Sequence, residues 1–140
     1  MKKIMLVLAA VFCLMLSACK PAVNTIIAGR YLPEGYETTE DMEKSLGLFI
    51  RTDGSFYLNC SRSFNYHPSG KFTLKNGVLT LVDNYGTTIA IFNMIDKEHM
   101  VYVAEGSDYG VADIATYDDR SFGIRDGMVF VWHEDKNQKK

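Results

Sequence analysis

Cysteine is scarce in this chain, and its placement excludes several kinds of protein at once. Three cysteines, Cys13, Cys19 and Cys60, occur in 140 residues. Cys13 and Cys19 lie six residues apart in "CLMLSACK", at the end of an apolar run, where a redox pair, half a metal site, a disulfide or something else would each need a different context. Histidine is equally sparse. His67, His99 and His133 stand far apart, with no second His or Cys at ligand spacing, so each reads as a surface or hydrogen-bonded residue and no metal is expected. No run of Lys or Arg forms the basic patch that nucleic acid requires. No Gly-x-Ser-x-Gly elbow occurs, and in "EGSDYG" Ser107 directly follows the first Gly, so nucleophilic catalysis gains no support and no enzyme activity is expected. The one long apolar run, Ile4 to Ala18, has 15 residues, short of the roughly 20 that a spanning helix needs.

The N-terminus itself has a definite pattern. Lys2 and Lys3 precede the apolar run, and small residues close it, which is the layout of a secretory signal peptide with its N-terminal signal helix. Leu16-Ser17-Ala18-Cys19 then resembles the lipobox of bacterial lipoproteins: a branched apolar residue, two small residues and a Cys. The resemblance implies a diacylglycerol on the Cys19 thiol, cleavage between Ala18 and Cys19, and acylation of the new N-terminus, as with palmitate. Several acyl chains on one residue hold a protein firmly, whereas a single chain binds marginally. On this reading Cys13 leaves with the signal and Cys19 is consumed by lipid. Only Cys60 remains, so the mature domain has no internal disulfide. Cys60 ends the apolar stretch "SFYLNC" and reads as a small buried hydrophobe, with a reactive thiol or an intermolecular bridge as the other readings.

Cleavage after residue 18 removes two of the chain's 15 basic residues and none of its 17 acidic ones, leaving a mildly acidic domain. Its expected organisation is a signal peptide over 1–18, the lipidated Cys and a tether over 19–28, one β-rich domain over 29–135, and a polar tail over 136–140. Strand signals are dense. "LGLFIRTDGSFYLNC", "GKFTLKNGVLTLVD" and "RSFGIRDGMVFVWH" each place two strands around Asp53-Gly54, Asn76-Gly77 or Asp126-Gly127, dipeptides that favour tight hairpins of the I′ type. "TTIAIFNMI" and "HMVYVAE" add a pair around Asp96-Lys97-Glu98, and "GRYL" adds a short strand. The one helical signal is "TTEDMEKSL". Phe56, Leu58 and Cys60 alternate with Ser55, Tyr57 and Asn59, and Phe72 and Leu74 alternate with Lys71, Thr73 and Lys75. Such period-2 patterning predicts strands with one wet face. The predicted fold is therefore all-β: an antiparallel meander of about 8–9 strands forming a small barrel or half-barrel.

"AGRYLPEG", the following Asp-Gly-Ser-Phe and "GKFTLKNGVLTL" resemble small lipocalin-like β-barrel lipoproteins of bacterial envelopes. Gly29-Arg30-Tyr31 sits where those proteins carry Gly-x-Trp. The resemblance implies an up-and-down barrel with an apolar cavity.

Two segments invite a functional reading. "EGSDYGVADIATYDD" is acidic, but lacks the alternating oxygen ligands of a calcium loop and reads as a solvated connection. "SRSFNYHPSGK" sets Arg62, Phe64, Tyr66 and His67 between two strands, where amphipathic rings can serve a partner or cover the core. The expected function is that of a lipid-anchored cell-envelope protein facing the periplasm or the cell exterior. Its role would be non-enzymatic binding of a small apolar ligand or an envelope protein, with the membrane as a further partner through the anchor. The alternative is an inhibitor or immunity-type lipoprotein that blocks an envelope hydrolase with an exposed loop.

Overall fold

A computed structural model describes residues 22–35, 46–60, 67–108 and 124–134. Eight antiparallel strands form a closed barrel: β1 (Gly29–Pro33), β2 (Gly47–Ile50), β3 (Ser55–Asn59), β4 (Ser69–Lys75), β5 (Val78–Asp83), β6 (Thr88–Met94), β7 (His99–Val103) and β8 (Val129–His133). Each strand pairs with its neighbour in sequence, and β8 returns to pair with β1, Tyr31 facing Trp132. The expected all-β meander is thus a full barrel, which leaves no sheet edge unpaired. The signal segment, the helical signal over 38–46 apart from its last residue Leu46, and the loop residues Arg62, Phe64 and Tyr66 lie outside the described residues.

Alternation builds the interior as the pattern predicts. Leu48, Ile50, Phe56, Leu58, Leu79 and Leu81 are buried on the inner face, while Lys71, Thr73 and Lys75 are exposed on the outer. Phe92 is the hub of the aromatic core. Tyr102 meets it edge-on at 5.5 Å and Phe130 at 5.3 Å, the T-shaped geometry that ring quadrupoles favour. β1 departs from the pattern, because both of its faces are buried, including outward-facing Arg30 and Leu32.

The turns divide by chemistry. Asn76 and Gly77 both have positive φ, 53° and 78°, as a two-residue I′ hairpin requires. The Asp-Gly pairs differ from the expectation, since only their glycines are left-handed. At Asp53-Gly54 the Gly54 N–H donates to the Arg51 carbonyl and the Arg51 N–H to the Ser55 carbonyl, a type I turn closed by a bulge. At Asp126-Gly127 the expected hairpin does not form within the described residues. Ile124 and Arg125 are not in a strand, and the turn instead feeds β8 into β7 through bonds between Tyr102 and both Gly127 and Met128.

The two ends of the barrel are unlike. One carries the short turns 51–54, 76–77 and 95–98, together with residues 22–28, which cross it as a strap. Tyr31 pins the strap. Its hydroxyl donates to the Lys97 carbonyl at 2.9 Å, accepts from the Ile27 N–H at 3.2 Å and stands 3.1 Å from the Ile27 carbonyl. The Asn24 side chain accepts the Asn76 N–H at 3.1 Å, the Trp132 indole donates to the Ala28 carbonyl at 3.3 Å, and Ile26 packs on the core. At the opposite end the chain leaves after Gly35, Cys60 and Asp108 and returns at Leu46, His67 and Ile124. The three longest connections therefore start and finish there.

Candidate binding surface

Strand register brings four side chains into one row on the outer wall. Arg30 of β1 lies beside His133 of β8 and Phe49 of β2, and Phe49 lies beside Tyr57 of β3. The Arg30 guanidinium sits 5.0 Å from the Phe49 ring centroid. Phe49 meets Tyr57 edge-on at 5.7 Å, and Tyr57 stacks on His67 at 5.5 Å with only 24° between the planes. Of the four residues singled out in the predicted loop, Arg62, Phe64, Tyr66 and His67, only His67 is among the described residues, and it stacks in this row. Phe49, Tyr57 and His67 are half-buried, so their rings stabilise the wall and also offer edges to a neighbour. The sequence hints at the row only through Tyr57, which alternation puts on the outer face. Arg30, at 9% exposure, has no signal in a five-residue strand without visible alternation.

Cys60 and His99, read from sequence as a buried hydrophobe and a surface or hydrogen-bonded histidine, stand apart from this row. Cys60 is wholly buried, and burial raises its thiol well above the ordinary range. A protonated, enclosed thiol is a poor nucleophile and a poor partner for another chain. His99 makes a bidentate contact to the Asp96 carboxylate at 2.9 and 3.0 Å, within the β6–β7 turn. Asp96 also accepts the N–H groups of Glu98 and His99. These bonds, the His99 contact first, hold its carboxyl below the usual carboxylate range.

Acidic residues repeat this turn chemistry around the barrel. Asp53 accepts from both the hydroxyl and the N–H of Ser55, which lowers its pKa. Asp83 accepts the N–H groups of Tyr85 and Thr87, and Asp126 that of Ala104. Four carboxylates that composition alone leaves unassigned are thus turn acceptors. In the described part of the acidic segment, Ser107 donates to the Val103 carbonyl and accepts from Ile91, so "EGSD" is a turn packed on β6. Among the described residues no three His, Cys, Asp or Glu side chains gather to hold a metal ion.

The interior is occupied by the protein itself. Tyr31, Phe56, Phe92, Tyr102 and Phe130 are each at most 1% exposed and fill the space between the walls with leucines and isoleucines. The wall also differs in strand length from a membrane-spanning barrel: its strands are four to seven residues long, against about nine to eleven for a bilayer. Comparison of the chain with protein-family models, curated proteins and solved structures returns no match.

Proposed function

We propose that this chain is a lipid-anchored protein of the bacterial cell envelope, held through Cys19, whose barrel is a rigid non-enzymatic platform for a protein partner. The observation that carries the choice of partner is the filled interior. A small apolar ligand entering the barrel would have to displace Phe92, Tyr102 or Phe130 from a close-packed aromatic core, and overpacking such a core is costly. The exterior, by contrast, offers a half-buried aromatic row and a loop-bearing end. The lipobox resemblance of Leu16-Ser17-Ala18-Cys19 supports the anchor, and the packed strap over 22–28 supports a fold that begins close behind it.

Native mass spectrometry of the protein released from its own envelope tests the reading. A second polypeptide bound to the barrel is the expected result. A small apolar molecule retained at one per chain would replace the protein partner with a ligand.

The inhibitor reading keeps one specific support. The segment between Cys60 and His67, which carries Arg62, Phe64 and Tyr66, emerges at the loop-bearing end, away from the anchor. Inhibition of an envelope hydrolase that is lost on replacing Phe64 and Tyr66 by Ala would favour it.

A further inference from the structure

The strap end of the barrel carries a feature that neither its turns nor its core requires. Val78 and Ile95 are 37% and 52% exposed. Both stand at this end, Val78 directly after the Asn76–Gly77 turn and Ile95 in the β6–β7 turn. The Met94 N–H donates to the Gly77 carbonyl at 2.7 Å, so the two turns are adjacent. Lys75 and Lys97, both exposed, flank them. The strap reaches the same corner, with Val23 against Gly77 and Asn24 bonded to Asn76.

Two further observations orient this corner. Cys19 precedes Ala22 by three residues, which can span at most about 11 Å, so a lipid on Cys19 keeps the strap end close to the bilayer. A strand of seven residues is about 23 Å long, and the tether cannot bring the far end equally near while the barrel stands upright. Charge is also distributed unevenly. The described residues at the loop end include Glu34, Asp83, Glu105, Asp108 and Asp126 against Arg125 alone, whereas at the strap end Arg51, Lys75 and Lys97 stand against Asp53, Asp96, Glu98 and Glu134, a far smaller acidic excess.

We propose that the corner around the Asn76–Gly77 turn, with Val78 and Ile95 exposed between Lys75 and Lys97, rests on an anionic phospholipid surface, so that the acidic loop end faces away from the membrane. Exposed aliphatic groups flanked by lysines suit the headgroup boundary, where the apolar side chains dip in and the ammonium groups stay with the phosphates. The anionic surface also repels the acidic end, and that repulsion disfavours a barrel lying on its side. The inference rests on the lipid-anchored reading and adds to it an orientation: the loop end and the outer wall, with its aromatic row, are left for a partner.

The test uses the lipidated protein reconstituted into vesicles of phosphatidylglycerol and phosphatidylethanolamine that carry a headgroup-tethered quencher. A fluorophore is placed at Asn93→Cys, beside Val78 in the register, at Thr73→Cys on the β4 wall, or at Tyr85→Cys at the loop end. Cys60, being buried, stays unlabelled in the folded protein. Quenching several-fold stronger at 93 than at 85, with 73 between them, is expected, and the contrast should shrink in the Lys75→Glu/Lys97→Glu variant. Equal quenching at 93 and 85, or quenching at 73 as strong as at 93, overturns the orientation while the protein still floats with the vesicles. Failure to float with the vesicles sinks the anchor itself, and the orientation with it.

Discussion

Removing the Tyr31 hydroxyl strips the strap of its contacts to Lys97 and Ile27 together while leaving the ring in the core. Tyr31→Phe should cost about 1–2 kcal/mol in denaturant unfolding, with faster hydrogen exchange at the Ile27 amide. The same phenol sets an alkaline limit. Burial raises its pKa to about 12, above the unfolded value of about 10. Its contribution is therefore whole below about pH 10 and is lost as pH rises toward 12; the Phe variant should lose less stability over that window. Cys60 supplies a third residue-scale expectation. Its thiol should resist a maleimide in the native protein and react once denaturant is added, and rapid native labelling would contradict the burial. The apolar neighbours Phe56 and Leu58 make that burial legible in sequence. The Arg30–Phe49 contact is not legible, because it depends on which strands become neighbours.

The turns are the elements on which stability at low pH depends. Asp53 and Asp96 are held below the ordinary carboxylate range by hydrogen bonds that only the folded chain makes. Their contribution is present above the unfolded pKa of about 4 and is lost as pH falls below it. The thermal midpoint should drop between about pH 5 and pH 2.5, and drop less in Asp96→Asn; a midpoint flat with pH would remove these turns from the account. Strand β4 makes a steric prediction. A Cβ on Gly70 would stand 2.1 Å from the Val82 carbonyl oxygen of β5, beside the irregularity between Leu81 and Val82. Gly70→Ala should then destabilise by about 3 kcal/mol or more, with the β4–β5 amides the first to lose protection. Residues 55–60 and 71–81 disclose their strands because one face is wet and the other dry. Asp53-Gly54 and Asp126-Gly127 do not disclose their turn types, since the aspartate there accepts hydrogen bonds with negative φ instead of entering the left-handed region as Asn76 does.

For the whole molecule, closure by β1 against β8 joins segments about a hundred residues apart, and no local pattern announces it. Gly29 shows why the junction is specific: a Cβ there would meet the Trp132 indole nitrogen at 2.6 Å, at a φ of +140° that side chains rarely adopt. The sequence places Gly29-Arg30-Tyr31 at the start of a barrel. The indole at that corner, however, comes from β8. Alternation predicts residue by residue which side chains face inward, whereas the resemblance implies a cavity that the buried aromatic rings occupy instead; that the strap lies at one end and the three longest connections at the other emerges only from topology. That arrangement gives the proposed anchor a direction, with lipid at one end and the start and finish of the three longest connections at the other.

The central claim is that Cys19 carries the lipid that makes this barrel an envelope protein. Intact mass spectrometry of the protein purified from the membrane fraction of a bacterial host tests it most directly. A chain that begins at Cys19 and bears a diacylglyceryl group with an acylated amine is the predicted result, matched by loss of membrane retention in Cys19→Ala. An unmodified Cys19, in a chain that starts at Met1 or at any other cleavage point, would contradict it.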